Sequence, residues 1–67
     1  MDKYSVIIQY DGNDHIYIAS VPELKGCKAH GDTPEEALQE IKIAFHLWLE
    51  AARENGIPIP DPMLYVS

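Results

Sequence analysis

With 67 residues, of which 46% are hydrophobic and 24% charged, the chain has the composition of one globular domain rather than of a disordered segment. A domain this small buries only about 60% of the surface that its unfolded chain exposes, so association with a second copy or a partner is expected. Eleven acidic against five basic residues give a net charge of −6, which repels phosphates and argues against direct nucleic-acid binding.

The first two predicted elements are the strands of a β-hairpin. The segments KYSVIIQY (3–10) and HIYIASV (15–21) are rich in β-branched and aromatic residues, and turn residues DGND lie between them. A tight turn at Gly12 and Asn13 would make Ile8 face Tyr17. One side of the sheet, which we assign to the helix below, would then carry Tyr4, Val6, Ile8, Tyr17, Ala19 and Val21.

The other side of the hairpin carries three isoleucines that no predicted element covers. In this register Ile7 faces Ile18, and Ile16 lies beside Gln9. An uncovered apolar cluster of this kind is typical of an interface. We therefore predict a homo-oligomer, with a dimer favoured, that buries Ile7, Ile16 and Ile18 between copies. The alternative is that this face binds a different protein.

A third strand and a long helix follow. Residues CKAH (27–30) read as a short strand after the connection ELKG (23–26). Thr33 is suited to cap a helix, with Pro34 at its first position and Glu36 completing a capping box. Gly56 and Pro58 end it, so the helix should run from about Pro34 to about Asn55. Its apolar face would comprise Pro34, Ala37, Leu38, Ile41, Ala44, Phe45, Trp48 and Ala52.

The chain ends in a proline-rich connection, IPIPDP (57–62), and a short last strand, MLYVS (63–67). The predicted fold is α+β, a single two-layer domain over 1–67 with order β-β-β-α-β, in which an antiparallel sheet carries one long helix on one face. No separate DNA-binding domain is expected.

The outward side of the helix combines charge with two apolar residues. Ile43 and Leu47 lie one turn apart on this side, and both a partner contact and unrelated surface positions fit them. The acidic residues that could form a rim around them are Glu36, Glu40, Glu50 and Glu54. This acidity could serve solubility or a basic partner.

The sequence predicts neither catalysis nor a metal or cofactor site. No serine lies in a nucleophile elbow, and Cys27 and His30, three apart in a strand, would point to opposite faces. A metal-dependent nuclease would need acids within the first strand, where YSVIIQY has none. The single cysteine and the absence of an apolar run long enough to span a membrane lead us to expect a cytoplasmic protein.

Three segments in order, VPELKGC (21–27), HGDTPEEALQEIKIA (30–44) and NGIPIPDP (55–62), resemble the HicB antitoxins of type II toxin–antitoxin systems. The resemblance covers about Tyr4 to Pro62. It implies a truncated RNase H-like fold without the catalytic acids. Many family members add a C-terminal DNA-binding module, and residues 1–67 do not contain one.

The resemblance also implies a function. HicB proteins bind and block HicA toxins, which are small basic RNA-cleaving proteins with a catalytic histidine. The expected role is therefore an antitoxin-like binding protein that neutralises a HicA-type toxin by occluding its active site. The alternative is a solitary oligomeric domain of the same family, with a different protein partner and no catalytic activity.

Overall fold

The computed structural model describes residues 3–65, which form a three-stranded sheet and one helix. The elements are β1 (Ile7–Asp11), β2 (Ile16–Ser20), β3 (Lys28–Gly31) and α1 (Pro34–Glu54). The strands are antiparallel in the order β1-β2-β3, and α1 packs on one face of the sheet. The predicted α+β class and two-layer arrangement are therefore confirmed.

The register of the hairpin differs from the prediction by two residues. Ile8 pairs with Ala19, and Tyr10 pairs with Tyr17. The turn spans residues 12–15 instead of two residues, because the Asp11 carboxylate accepts the backbone N–H groups of Asn13 and Asp14 at 2.9 and 3.3 Å. A shift by two leaves every side chain on its predicted side of the sheet.

The core lies between the helix and the second and third strands. Phe45 packs against Tyr4 with ring centroids 5.2 Å apart. Ile8 remains exposed, since α1 lies mainly over β3 and β2 and leaves much of β1 uncovered. Leu24, in the connection before β3, is a core residue that the sequence pattern did not predict. The buried core cluster consists of Ala19, Val21, Leu24, Cys27, Ala37, Ile41 and Phe45.

Both ends of the helix are capped as predicted. The Thr33 hydroxyl accepts the Glu36 N–H at 3.1 Å, and the Glu36 carboxylate accepts the Asp32 N–H at 2.8 Å. At the other end Gly56 adopts a left-handed φ of 66°, and the Ile57 N–H donates to the Ala52 carbonyl at 2.8 Å. This Schellman arrangement stops the helix one residue before the predicted end.

The last strand predicted over residues 63–67 is not formed in its described part, residues 63–65. Pro60 and Pro62 have no N–H to pair, and the Met63 N–H donates to the Glu23 carboxylate at 3.0 Å instead of to a strand. Val66 and Ser67 lie outside the described residues. The prediction of a fourth strand was therefore wrong for the described residues.

Glu23 holds three segments of the chain together. Besides the Met63 N–H, its carboxylate accepts the Ser5 N–H and the Ser5 hydroxyl, each at 3.0 Å. Desolvation is the largest single influence and raises the pKa of Glu23, but the hydrogen bonds from Met63, its own backbone and Ser5 together lower the pKa below its ordinary value of 4.5. The ionised carboxylate is thus the form that stabilises the fold.

Replacing Glu23 by glutamine should lower the free energy of unfolding by about 1 kcal/mol at neutral pH, the usual net value of one hydrogen bond. Because the folded pKa lies below the unfolded one, the stabilisation is complete above pH 4.5 and is lost as the pH falls through the folded value. Urea titrations at pH 7 and pH 3 would measure this. Glu50→Gln, at an exposed carboxylate, is the matched control. A difference between wild type and Glu23→Gln that is independent of pH would contradict this role.

Candidate partner-binding surface

A groove of about 720 Å³ runs between β3 and the outward side of α1. Backbone and side chains of residues 28–32 form one wall. The helix forms the other wall, which includes Glu36, Gln39, Glu40, Ile43, Ala44 and Leu47. We call this feature the β3–α1 groove.

The chain brings the two walls together by a tight reversal after β3. Only Asp32 and Thr33 separate β3 from α1, and the helix packs back along the strand. The Trp48 indole N–H donates to the Lys25 carbonyl at 2.9 Å, which places the later turns of the helix beside the start of β3. The groove is therefore acidic near Gly31 and apolar towards Lys28.

Gly31 allows the strand and the helix to approach this closely. A Cβ at this position would lie 2.6 Å from the Ala37 backbone nitrogen and 2.7 Å from the Glu36 Cβ. Real side chains do not come so close, so a larger residue would push β3 and α1 apart. The shape of the groove depends on this glycine.

Four of the residues proposed from sequence meet in the groove. Ile43 and Leu47 are 55% and 59% exposed, and Glu36 and Glu40 lie beside them. Glu50 and Glu54 do not line the groove. Both lie further along the helix than Leu47, past the part of α1 that flanks the four-residue β3.

The three isoleucines of the open sheet face lie on one side as predicted, but they pair differently. Ile7 faces Ser20, and Ile18 faces Gln9 on one side and His30 on the other. The predicted Ile7 and Ile18 pair was therefore wrong, because the longer turn moves the register. Ile7 is exposed, whereas Ile16 and Ile18 are half-buried.

The free edge of β3 is part of the candidate partner-binding surface, and it was not among the residues predicted from the sequence. A strand order cannot be read from local patterns, so β3 could not be identified as an edge beforehand. The sequence does indicate that this strand and the helix are neighbours, because the connection between CKAH and the helix cap is very short.

Cys27 and Asp11 both occupy structural positions. Burial raises the pKa of the Cys27 thiol, which disfavours the reactive thiolate. Asp11 ends β1, and its carboxylate binds the turn amides. Among residues 3–65 no three His, Cys, Asp or Glu side chains are grouped to hold a metal ion. No helix within 3–65 is long and apolar enough to cross a membrane.

Comparison with known proteins identifies the family. Residues 4–65 match the model of the HicB-like antitoxin of bacterial toxin–antitoxin systems. A UPF0150 protein of Synechocystis sp. is 39% identical over 59 residues, covering 88% of this chain and 80% of the relative. A UPF0150 protein of Thermoplasma acidophilum is 41% identical over 58 residues, which cover 87% of this chain and 83% of the relative. No solved structure matches the chain. The chain belongs to the HicB-like antitoxin family.

Proposed function

We propose that this protein is an antitoxin that neutralises a small basic RNA-cleaving toxin of the HicA type by covering its active site. The observation that carries this proposal is the β3–α1 groove, in which exposed apolar residues and carboxylates lie together on a member of an antitoxin family. The expected RNase H-like ancestry and the absence of catalysis are part of the same proposal.

The chemistry of the groove suits such a partner. Ile43 and Leu47 expose more than half of their surfaces, and removing such apolar surface from water favours association with a partner. Glu36 and Glu40 add negative charge beside them, and the net charge of the chain is −6. A toxin that binds RNA presents a basic surface, which these carboxylates would attract and orient.

The open sheet face is proposed as the contact between copies of this chain. Ile7, Ile16 and Ile18 lie there, and no other element among residues 3–65 packs on this side. A small core gains stability when such a surface is buried in a symmetric dimer. Toxin binding and self-association would then use opposite parts of the domain.

Coexpression with a HicA-type toxin, sought in the reading frames beside this gene, tests the antitoxin function. Wild-type protein should restore growth, whereas Leu47→Glu should weaken toxin binding at least tenfold, or about 1.4 kcal/mol, because it puts a charge at an apolar anchor. Leu64→Glu is the matched control, since Leu64 is 62% exposed and lies outside the groove. Circular dichroism should show that both variants are folded.

Ile18→Asp separates the two surfaces. It should reduce the mass found by sedimentation while leaving rescue intact. If rescue fails with Ile18→Asp and survives Leu47→Glu, the sheet face is the toxin site. If the wild-type chain binds no toxin encoded beside its gene, the proposed antitoxin function is wrong. The alternative, a solitary domain with another protein partner, is then favoured.

A further inference from the structure

The β3 edge offers unpaired backbone groups next to the groove. Val21 follows β2 and Cys27 precedes β3 in the register of the two strands, and the Val21 N–H donates to the Cys27 carbonyl at 3.1 Å, as in a hydrogen-bonded pair. Such pairs alternate along an antiparallel ladder, so Ala29 and Gly31 also bond towards β2. The N–H and C=O groups of Lys28 and His30 therefore face away from the sheet.

In the described part of the chain, β3 has β2 as its sole strand neighbour. Free edges of this kind are templates for another strand unless something covers them. Here the edge is short but flanked by the apolar side chains of Ile43, Ala44 and Leu47. A strand added to β3 would lie about 4.8 Å away, and every second side chain would point towards the helix. The backbone edge and the apolar wall therefore suit the same extended segment.

Charge limits the kind of segment that fits. Asp32, Glu36 and Glu40 line the groove near Gly31, whereas Ile43, Ala44 and Leu47 line the opposite end. An incoming strand with an apolar residue facing Leu47 and an arginine or lysine facing Glu40 would match both ends.

We propose that the partner docks by adding one of its own β-strands to β3, with apolar side chains against Ile43 and Leu47 and a basic side chain near Glu40. The inference rests on the proposed function, because the occupant is a strand of the basic toxin. Main-chain hydrogen bonds to Lys28 and His30 supply binding, and the groove supplies selectivity.

Lys28→Pro tests the added strand because it removes an outward N–H while leaving the β2 ladder intact. Proline is tolerated at the first position of an edge strand, which Lys28 occupies. Lys28→Ala is the control, since both variants lose the charge and only one loses the N–H. Binding of the inactive histidine variant of the adjacent toxin, measured by calorimetry, should be at least tenfold weaker for Lys28→Pro than for Lys28→Ala.

Amide hydrogen exchange gives an independent readout that does not depend on a proline variant folding. Toxin binding should slow exchange at Lys28 and His30 at least tenfold and leave Ala29, already bonded to β2, nearly unchanged. Equal toxin affinity of the two Lys28 variants, with no added protection, would overturn strand addition and leave the antitoxin function standing. Absence of wild-type binding would overturn both. Protection of Lys28 and His30 in the free chain at high concentration would assign the edge to a second copy and also overturn the proposal.

Discussion

Ile41→Ala is expected to lower the free energy of unfolding by about 2–5 kcal/mol. Ile41 has no solvent exposure and lies in the core cluster between the helix and the sheet, so truncation leaves a cavity that the small domain cannot refill. The total stability of a domain of this size is only roughly 3–10 kcal/mol at the usual value per residue. The variant should therefore be close to unfolding at 37 °C, which urea titration followed by circular dichroism would detect.

The same change two residues further on is the control. Ile43→Ala removes identical atoms from the same helix, but the Ile43 side chain is 55% exposed, so stability should change by less than about 0.5 kcal/mol. In the proposed complex, Ile43→Ala should weaken toxin binding although it leaves the free energy of unfolding nearly unchanged, because Ile43 lines the groove. Equal destabilisation by both changes would show that the helix is rotated from the described orientation.

Gly31→Ala should destabilise the domain by about 1–3 kcal/mol, although it adds a single methyl group. The new Cβ would lie within 3.0 Å of backbone atoms of both Glu36 and Ala37, and these belong to the first turn of the helix, which has little freedom to move. The melting temperature should fall by about 4–8 °C for each kcal/mol lost. Differential scanning calorimetry measures both quantities.

Gly12→Ala is the matched control for this effect. A Cβ at Gly12 would have no neighbour within 4 Å, and Gly12 does not adopt the left-handed conformation that Gly56 requires. Its melting temperature should stay near the wild-type value. A Gly31→Ala protein as stable as Gly12→Ala would mean that β3 and α1 separate easily, and the groove could not then have a fixed shape.

The helix was predictable because its signals are local. Thr33, Glu36 and Gly56 act within one turn of the backbone groups they satisfy, so the predicted helix bounds differ from the observed ones by one residue. The sides of the hairpin were also predictable, since alternation depends only on odd and even positions. The register of the hairpin was not predictable. The Asp11 carboxylate and the left-handed backbone conformation of His15 create a longer turn than Gly12 and Asn13 suggest.

The helix residues of the candidate site could be predicted from the helical period. The part that depends on the length and position of β3 could not. Spacing of four residues placed Ile43 and Leu47 on one outward side, and the structure places both in the groove. Glu50 and Glu54 follow the same period but lie beyond the end of the short β3. The Glu23 contacts with Ser5 and Met63 join residues far apart in sequence, which no local pattern reveals.

Both walls of the β3–α1 groove come from one uninterrupted stretch, residues 28–47, joined by two residues. In the proposed complex, substitutions confined to this stretch could therefore change which partner is accepted while leaving β1, β2 and their three exposed-face isoleucines untouched. A cell that encodes several antitoxin and toxin pairs must prevent each antitoxin from binding the wrong toxin. Selection against binding the wrong toxin would act on about twenty neighbouring codons. After gene duplication, antitoxin and toxin pairs could therefore diverge without changes in the rest of the domain.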